Sequence, residues 1–135
     1  MVMPYYERIA HTADLAIRVW GPDAPTLFAN AARALFDMMA EPPAGEVVAR
    51  RITVESVDQE ALLVDWLNEL IYRHEVDGET YTRFDISALS ETRLHAIAHG
   101  SPTTRRIRGI KAATFHELVI RHTAEGVEAR VVFDV

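Results

Sequence analysis

The sequence has 135 residues, a length at which one domain with a substantial hydrophobic core is expected. Its 49% hydrophobic and 25% charged residues are ordinary for a globular protein, and no apolar run reaches the length of a bilayer span. A net charge of -6 argues against a surface that grips RNA directly and favours a cation or a basic partner, while the lack of cysteine excludes disulfides, thiolate metal sites and cysteine nucleophiles. The N-terminal residues reach charge and aromatic side chains too early for a signal peptide, so a cytoplasmic location is expected.

In chain order, His11-Thr12-Ala13-Asp14 precedes an alternating segment in which Leu15, Ile17 and Val19 interleave with Ala16, Arg18 and Trp20. That is a loop-to-strand junction, a place where side chains are presented at a sheet rim. A helix is predicted over 24–39: Asp23 can cap it, Pro25 costs no hydrogen bond in the first turn, and Phe28, Ala32, Leu35, Phe36 and Met39 share one stripe. Glu41-Pro42-Pro43-Ala44-Gly45 reads as a loop. Ile52 and Val54 mark a strand. A second helix is predicted over 59–75, capped by Asp58, stopped by Gly78, with Leu63, Trp66, Leu67 and Leu70 as its core stripe. Strands follow over 83–89 and 93–99 with a turn at Ser90-Glu91-Thr92, a loop at 101–104, then strands over 118–122 and 127–135. The expected fold is α+β: a single domain over 1–135, its sheets largely antiparallel, with two amphipathic helices packed on one side.

Six histidines invite a metal or catalytic reading, and most of them resist it. His95 and His99 share a strand face but lie roughly 13 Å apart, too far to chelate one ion. His122 sits by a turn and His74 in the last turn of a helix, where partial positive charge is welcome. His116-Glu117 lacks the second histidine of a zinc helix. The C-terminal end, Phe133-Asp134-Val135, is different, because Asp134 and the Val135 carboxylate set two anionic groups side by side. Either strand pairing leaves Asp134 solvated there, or hard oxygen ligands gather Ca²⁺ or Mg²⁺. The basic stretch Arg105-Arg106-Ile107-Arg108 is either a solvated loop or a contact for phosphate or an acidic partner. It precedes Lys111, the one lysine among 14 basic residues. No Gly-rich phosphate loop, nucleophile elbow or HExxH motif occurs.

Taken together and in order, several of these segments resemble the archease family. They are His11-Thr12-Ala13-Asp14, Asn30-Ala31-Ala32-Arg33-Ala34-Leu35-Phe36-Asp37, Leu62 through Leu70, Lys111-Ala112-Ala113-Thr114-Phe115-His116, and the ending Phe133-Asp134. The resemblance implies an α+β fold and a partnership with an RtcB-type RNA ligase. The ligase works through a guanylylated histidine, and the accessory protein promotes that guanylylation and repeated turnover. RNA would be met only through the ligase, with no membrane involved. The resemblance also implies a metal site, calcium or another divalent cation such as magnesium, at Asp14, Asp134 and a terminal oxygen of Val135. His11 and Lys111 would serve partner contact and activation. Three features depart from the family pattern: a short segment between Gly100 and Lys111, Gly109-Ile110 where an acidic residue is usual, and Phe115 in place of a common tyrosine. Two other functions compete: a small metal-dependent hydrolase or phosphotransfer enzyme using Asp14, Asp134 and His11, and a general chaperone or adaptor for RNA-modifying enzymes.

Overall fold

The computed structural model describes residues 5–10 and 14–135, so the expectation for His11 lies outside the described residues. The first helix, α1 (Ala24–Met39), forms where capping chemistry and apolar spacing place it. Asp23, in an extended conformation, accepts a 2.8 Å hydrogen bond from the Thr26 N–H, and Pro25 occupies the first turn. The second, α2 (Gln59–Asp77), starts with Asp58 accepting from the Ala61 N–H and ends at Gly78, whose φ of 65° is the left-handed stop that glycine adopts without penalty. It runs two residues past the predicted end at 75.

The strands form two sheets, and every pairing is antiparallel. The larger contains β1 (Tyr6–Ile9), β2 (Leu15–Gly21), β8 (Gly126–Asp134) and β6 (Ala112–Thr114) in that order, with β7 (Ile120–Thr123) also on β8. The smaller has β3 (Val48–Glu55), β5 (Arg93–Pro102) and β4 (Glu79–Leu89), with β5 central. The helices pack on both sheets: α1 touches β2, β8 and β4, while α2 touches β6, β3 and β4. One buried cluster therefore runs through both sheets and both helices. Trp66 lies at its centre, fully buried, and its indole N–H donates to the Phe28 carbonyl at 3.0 Å, tying α2 to α1.

Four departures from the expected elements have local causes. β1 has no apolar alternation of its own and forms on the edge of β2, Tyr6 opposite Val19 and Ile9 opposite Ala16. β6 is three residues long, too short to show a period. Ser101 and Pro102, expected in a loop, extend β5; Pro102 closes the strand opposite Glu79, where its missing N–H does no harm. Leu118 and Val119, expected in a strand, follow a turn at His116-Glu117 and lie outside β7: the Leu118 N–H donates to the Phe115 carbonyl, and Glu117 takes a φ of 56°.

Candidate functional site

The candidate site is a sheet rim where three strand ends meet. Leu15 of β2 pairs with Phe133 of β8, and Ala113 of β6 pairs with Phe133 from the other side. Carried one residue further, that register sets Asp14 opposite Asp134, and Ala112 already pairs with Asp134. Directly opposed residues of an antiparallel pair hold their Cβ atoms about 4.5–5.5 Å apart on one face. Asp14 and Asp134, distant in sequence, thus each lie one residue beyond the last paired residues of β2 and β8. The Lys111 N–H donates to the Asp134 carbonyl at 2.8 Å, which fixes the start of the β6 segment against the end of β8.

Side-chain direction separates the lysine from the acids. Alternation along β8 turns Asp134 away from the face used by Phe133. Lys111 and Val135 instead line a shallow depression of about 450 Å³ together with Gly109, Ile110 and Glu75. Lys111 therefore shares the rim with Asp134 through its main chain, while its side chain lies on the α2 side. Asp134 and Lys111 are exposed, Asp14 is half-buried, and Val135 is 48% exposed. Among the described residues no group of three or more His, Asp or Glu side chains gathers in a metal-binding arrangement. A cation at Asp14 and Asp134 would have two carboxylates and would complete its shell with main-chain oxygens and water. Ca²⁺ accepts that irregular oxygen set more readily than Mg²⁺.

Glu75 was not singled out in the sequence. It reaches the depression from the last turns of α2 and pairs with Arg106 at 3.4 Å. Its signal was spacing: Glu75 is seven residues, two helical turns, beyond Asn68, whose side chain touches β6. The arginine segment is stitched down. Ile107 donates to the Met39 carbonyl, Arg105 pairs with Glu41 at 3.5 Å, and Arg106 also donates to the His74 carbonyl at 3.1 Å. Its main chain leads straight into Lys111, so these ties help to place the lysine.

His74, His95 and His99 have structural partners. His95 Nδ1 lies 3.0 Å from Thr53 Oγ1 and His99 Nε2 lies 2.8 Å from Asp85. The latter contact, with Arg83, holds the Asp85 carboxyl below the usual range. His122 is exposed, as expected. His74 is where the sequence puts it, in the last turn of α2, but it is buried, with Nδ1 2.9 Å from the Glu79 carbonyl oxygen. A second depression, about 180 Å³, is lined by Tyr5, Arg33, Phe36, Asp37 and Tyr81 among others. Its polar groups already engage one another: Arg33 sits 4.1 Å over the Tyr5 ring and the Tyr6 hydroxyl donates to Asp37. It is the weaker candidate.

Comparison with known proteins bears on the whole chain. The model of the Archease protein family matches residues 6–135. The chain is 36% identical over 141 residues to a protein archease of Methanosarcina acetivorans, covering 96% of this chain and 95% of that one. It is 33% identical to the protein archease of Methanopyrus kandleri, covering 98% and 100%. Among solved structures, protein 1598 of Methanobacterium thermoautotrophicum superposes with a TM-score of 0.78 at 30% identity, covering 98% of this chain and all of the other. A Thermotoga maritima crystal structure, described as an archease and possible chaperone, gives a TM-score of 0.65 at 21% identity over 100% and 98%, which bears on the fold alone.

Proposed function

The chain belongs to the archease family, and from that premise we propose that it is an accessory protein that activates an RtcB-type RNA ligase. It promotes guanylylation of the ligase's histidine and so permits multiple turnover in tRNA splicing or RNA repair. Asp14, Asp134 and an oxygen of Val135 hold a calcium-type cation, with His11 and Lys111 contacting the partner. The observation that carries this reading is the register of β2, β8 and β6, in which Leu15, Phe133 and Ala113 pair across three strands, one residue inward from Asp14, Asp134 and Ala112. When bound, the cation supplies positive charge that lets two carboxylates stay close. The chain's own residues do the rest. The β2–β8 ladder sets the spacing of the acids, and the tied-down 105–110 segment delivers Lys111 as a compact ammonium on a flexible stem.

Multiple-turnover ligation by an RtcB-type ligase, with and without this chain, tests the reading. Activation supports it. Turnover of nucleotides or RNA ends by the chain alone would favour the hydrolase or phosphotransfer reading. The chaperone description attached to the Thermotoga protein offers a second reading, for which Tyr72 and Val76, exposed one turn apart on α2, would be the apolar contact. Pull-down of many RNA-modifying enzymes in place of one ligase would favour it.

A further inference from the structure

We propose that Asn68 is a positioning residue for Lys111, a clamp from α2 that stands in for a missing strand on the free side of β6. The inference rests on the ligase-activator reading of the rim. β6 is an edge strand of three residues, and on one side it pairs with β8. On the other side Ala113 directs both of its backbone groups to Asn68. The Ala113 N–H donates to Asn68 Oδ1 at 2.7 Å, and Asn68 Nδ2 donates to the Ala113 carbonyl at 3.2 Å. A carboxamide offers one acceptor and one donor at the spacing of a peptide group, so it satisfies both at once as a neighbouring strand would. Ala113 is only 4% exposed, so without Asn68 water could not readily replace those bonds.

The clamp's reach is local. Lys111 lies two residues upstream of Ala113, outside the strand, and its described tie to the sheet is the hydrogen bond from its own N–H to the Asp134 carbonyl. Loss of the clamp frees β6 to shift or lift, and Lys111 goes with it. Asp134 also meets β6, through its pairing with Ala112 and the bond from the Lys111 N–H, but the β2–β8 pairing that ends at Leu15–Phe133, one residue inward from Asp14 and Asp134, makes no use of the clamp. The clamp therefore separates two properties of one rim: cation binding needs the ladder, and correct placement of the lysine needs Asn68.

A double-mutant cycle in multiple-turnover ligation tests this, with Asn68→Ala, Lys111→Ala and the double variant, each first shown folded by circular dichroism at the assay temperature. Asn68→Ala is expected to impair turnover, and the double variant to lose no more than the larger single loss, within about twofold. Ca²⁺ binding by calorimetry should stay at the parental level in Asn68→Ala. Amide exchange at Ala113 and Lys111 should quicken on the order of tenfold or more, while the Ile17 and Val131 amides remain protected. If Asn68→Ala does not fold, Asn68→Asp carries the test: it keeps an acceptor for the Ala113 N–H but no donor for the carbonyl, and an intermediate loss is expected. Parental turnover in either variant, losses that multiply in the double variant, or loss of Ca²⁺ binding in Asn68→Ala would overturn the proposal. Should the parental chain fail to activate any RtcB-type ligase, the functional reading falls. The clamp is then judged by exchange alone, and unchanged exchange at Ala113 and Lys111 would overturn it.

Discussion

Two acids in the two sheets show how the molecule divides its charge. Glu79, at the start of β4 in the three-stranded sheet, is 7% exposed and fully engaged: Arg50 donates to it through two nitrogens at 3.1 and 2.6 Å, and the Tyr81 hydroxyl donates at 2.6 Å. Asp134, at the end of β8 in the five-stranded sheet, is exposed, and among the described residues its carboxylate has no ion pair. Arg50 holds the Glu79 carboxyl below its usual range, while burial and the adjacent Glu79 push the Tyr81 hydroxyl up. An acid whose lone pairs are already spent on internal donors stabilises a fold. An exposed acid at a strand end, without an internal ion pair, has capacity for something from outside.

If that division is right, the interior should fail by unfolding and the rim by loss of function. The largest effect is expected for Trp66→Ala. It removes a fully buried indole and its bond to Phe28, costing about 3–5 kcal/mol and roughly 10 °C or more of Tm. Ligase activation should fall only with the folded fraction measured by circular dichroism. A stable Trp66→Ala variant unable to activate would show that this stripe faces the partner.

Glu79→Gln should come next, costing about 1–2 kcal/mol at neutral pH, a figure discounted because Arg50 is half exposed. The pH dependence sharpens the comparison. The folded-state pKa of Glu79 is depressed, so its contribution is complete above the ordinary glutamate value of about 4.3 and is lost as pH falls through the lower folded value. Denaturant midpoints of parent and variant should therefore converge on acidification. A gap that persists at low pH would mean that shape, not charge, is what Glu79 supplies.

Asp134→Ala should be gentler still without metal, within about 0.5 kcal/mol of the parent, as expected for an exposed change away from the core, and Asp14→Ala is compared with it. With Ca²⁺ at 100 times its Kd the parent should gain about 2.7 kcal/mol, and neither variant should. Equal Ca²⁺-induced stabilisation in all three would place the cation elsewhere.

Much of the interior was legible because its signals are local. Asp23, Pro25, Asp58 and Gly78 mark the helix ends, and helical spacing along 24–39 picks out the buried stripe. The rim was legible only in part. Asp14 and Asp134 could be named, but the β2–β8 register that ends one residue from each is a long-range pairing with no local signature. β1 and β6 were missed for the same reason: each is short and owes its existence to a neighbour, β2 in one case, β8 and Asn68 in the other. Asn68 lies off the apolar stripe of α2, and nothing in a helical stripe reveals that an edge strand will lie against it. His74 shows the converse. Its place at a helix end was readable, but its burial depends on Phe36 and Glu79, which arrive from elsewhere in the chain.

The smallest perturbation gives the most direct measurement. Lys111→Arg keeps the charge at an exposed position and should leave Tm unchanged. Yet a planar guanidinium does not substitute for a compact ammonium in a site shaped for one. Multiple-turnover ligation by an RtcB-type ligase should therefore be impaired with Lys111→Arg, and at least as much with Lys111→Ala, while both variants melt with the parent. Activation by Lys111→Arg at the parental rate would contradict the account of the rim.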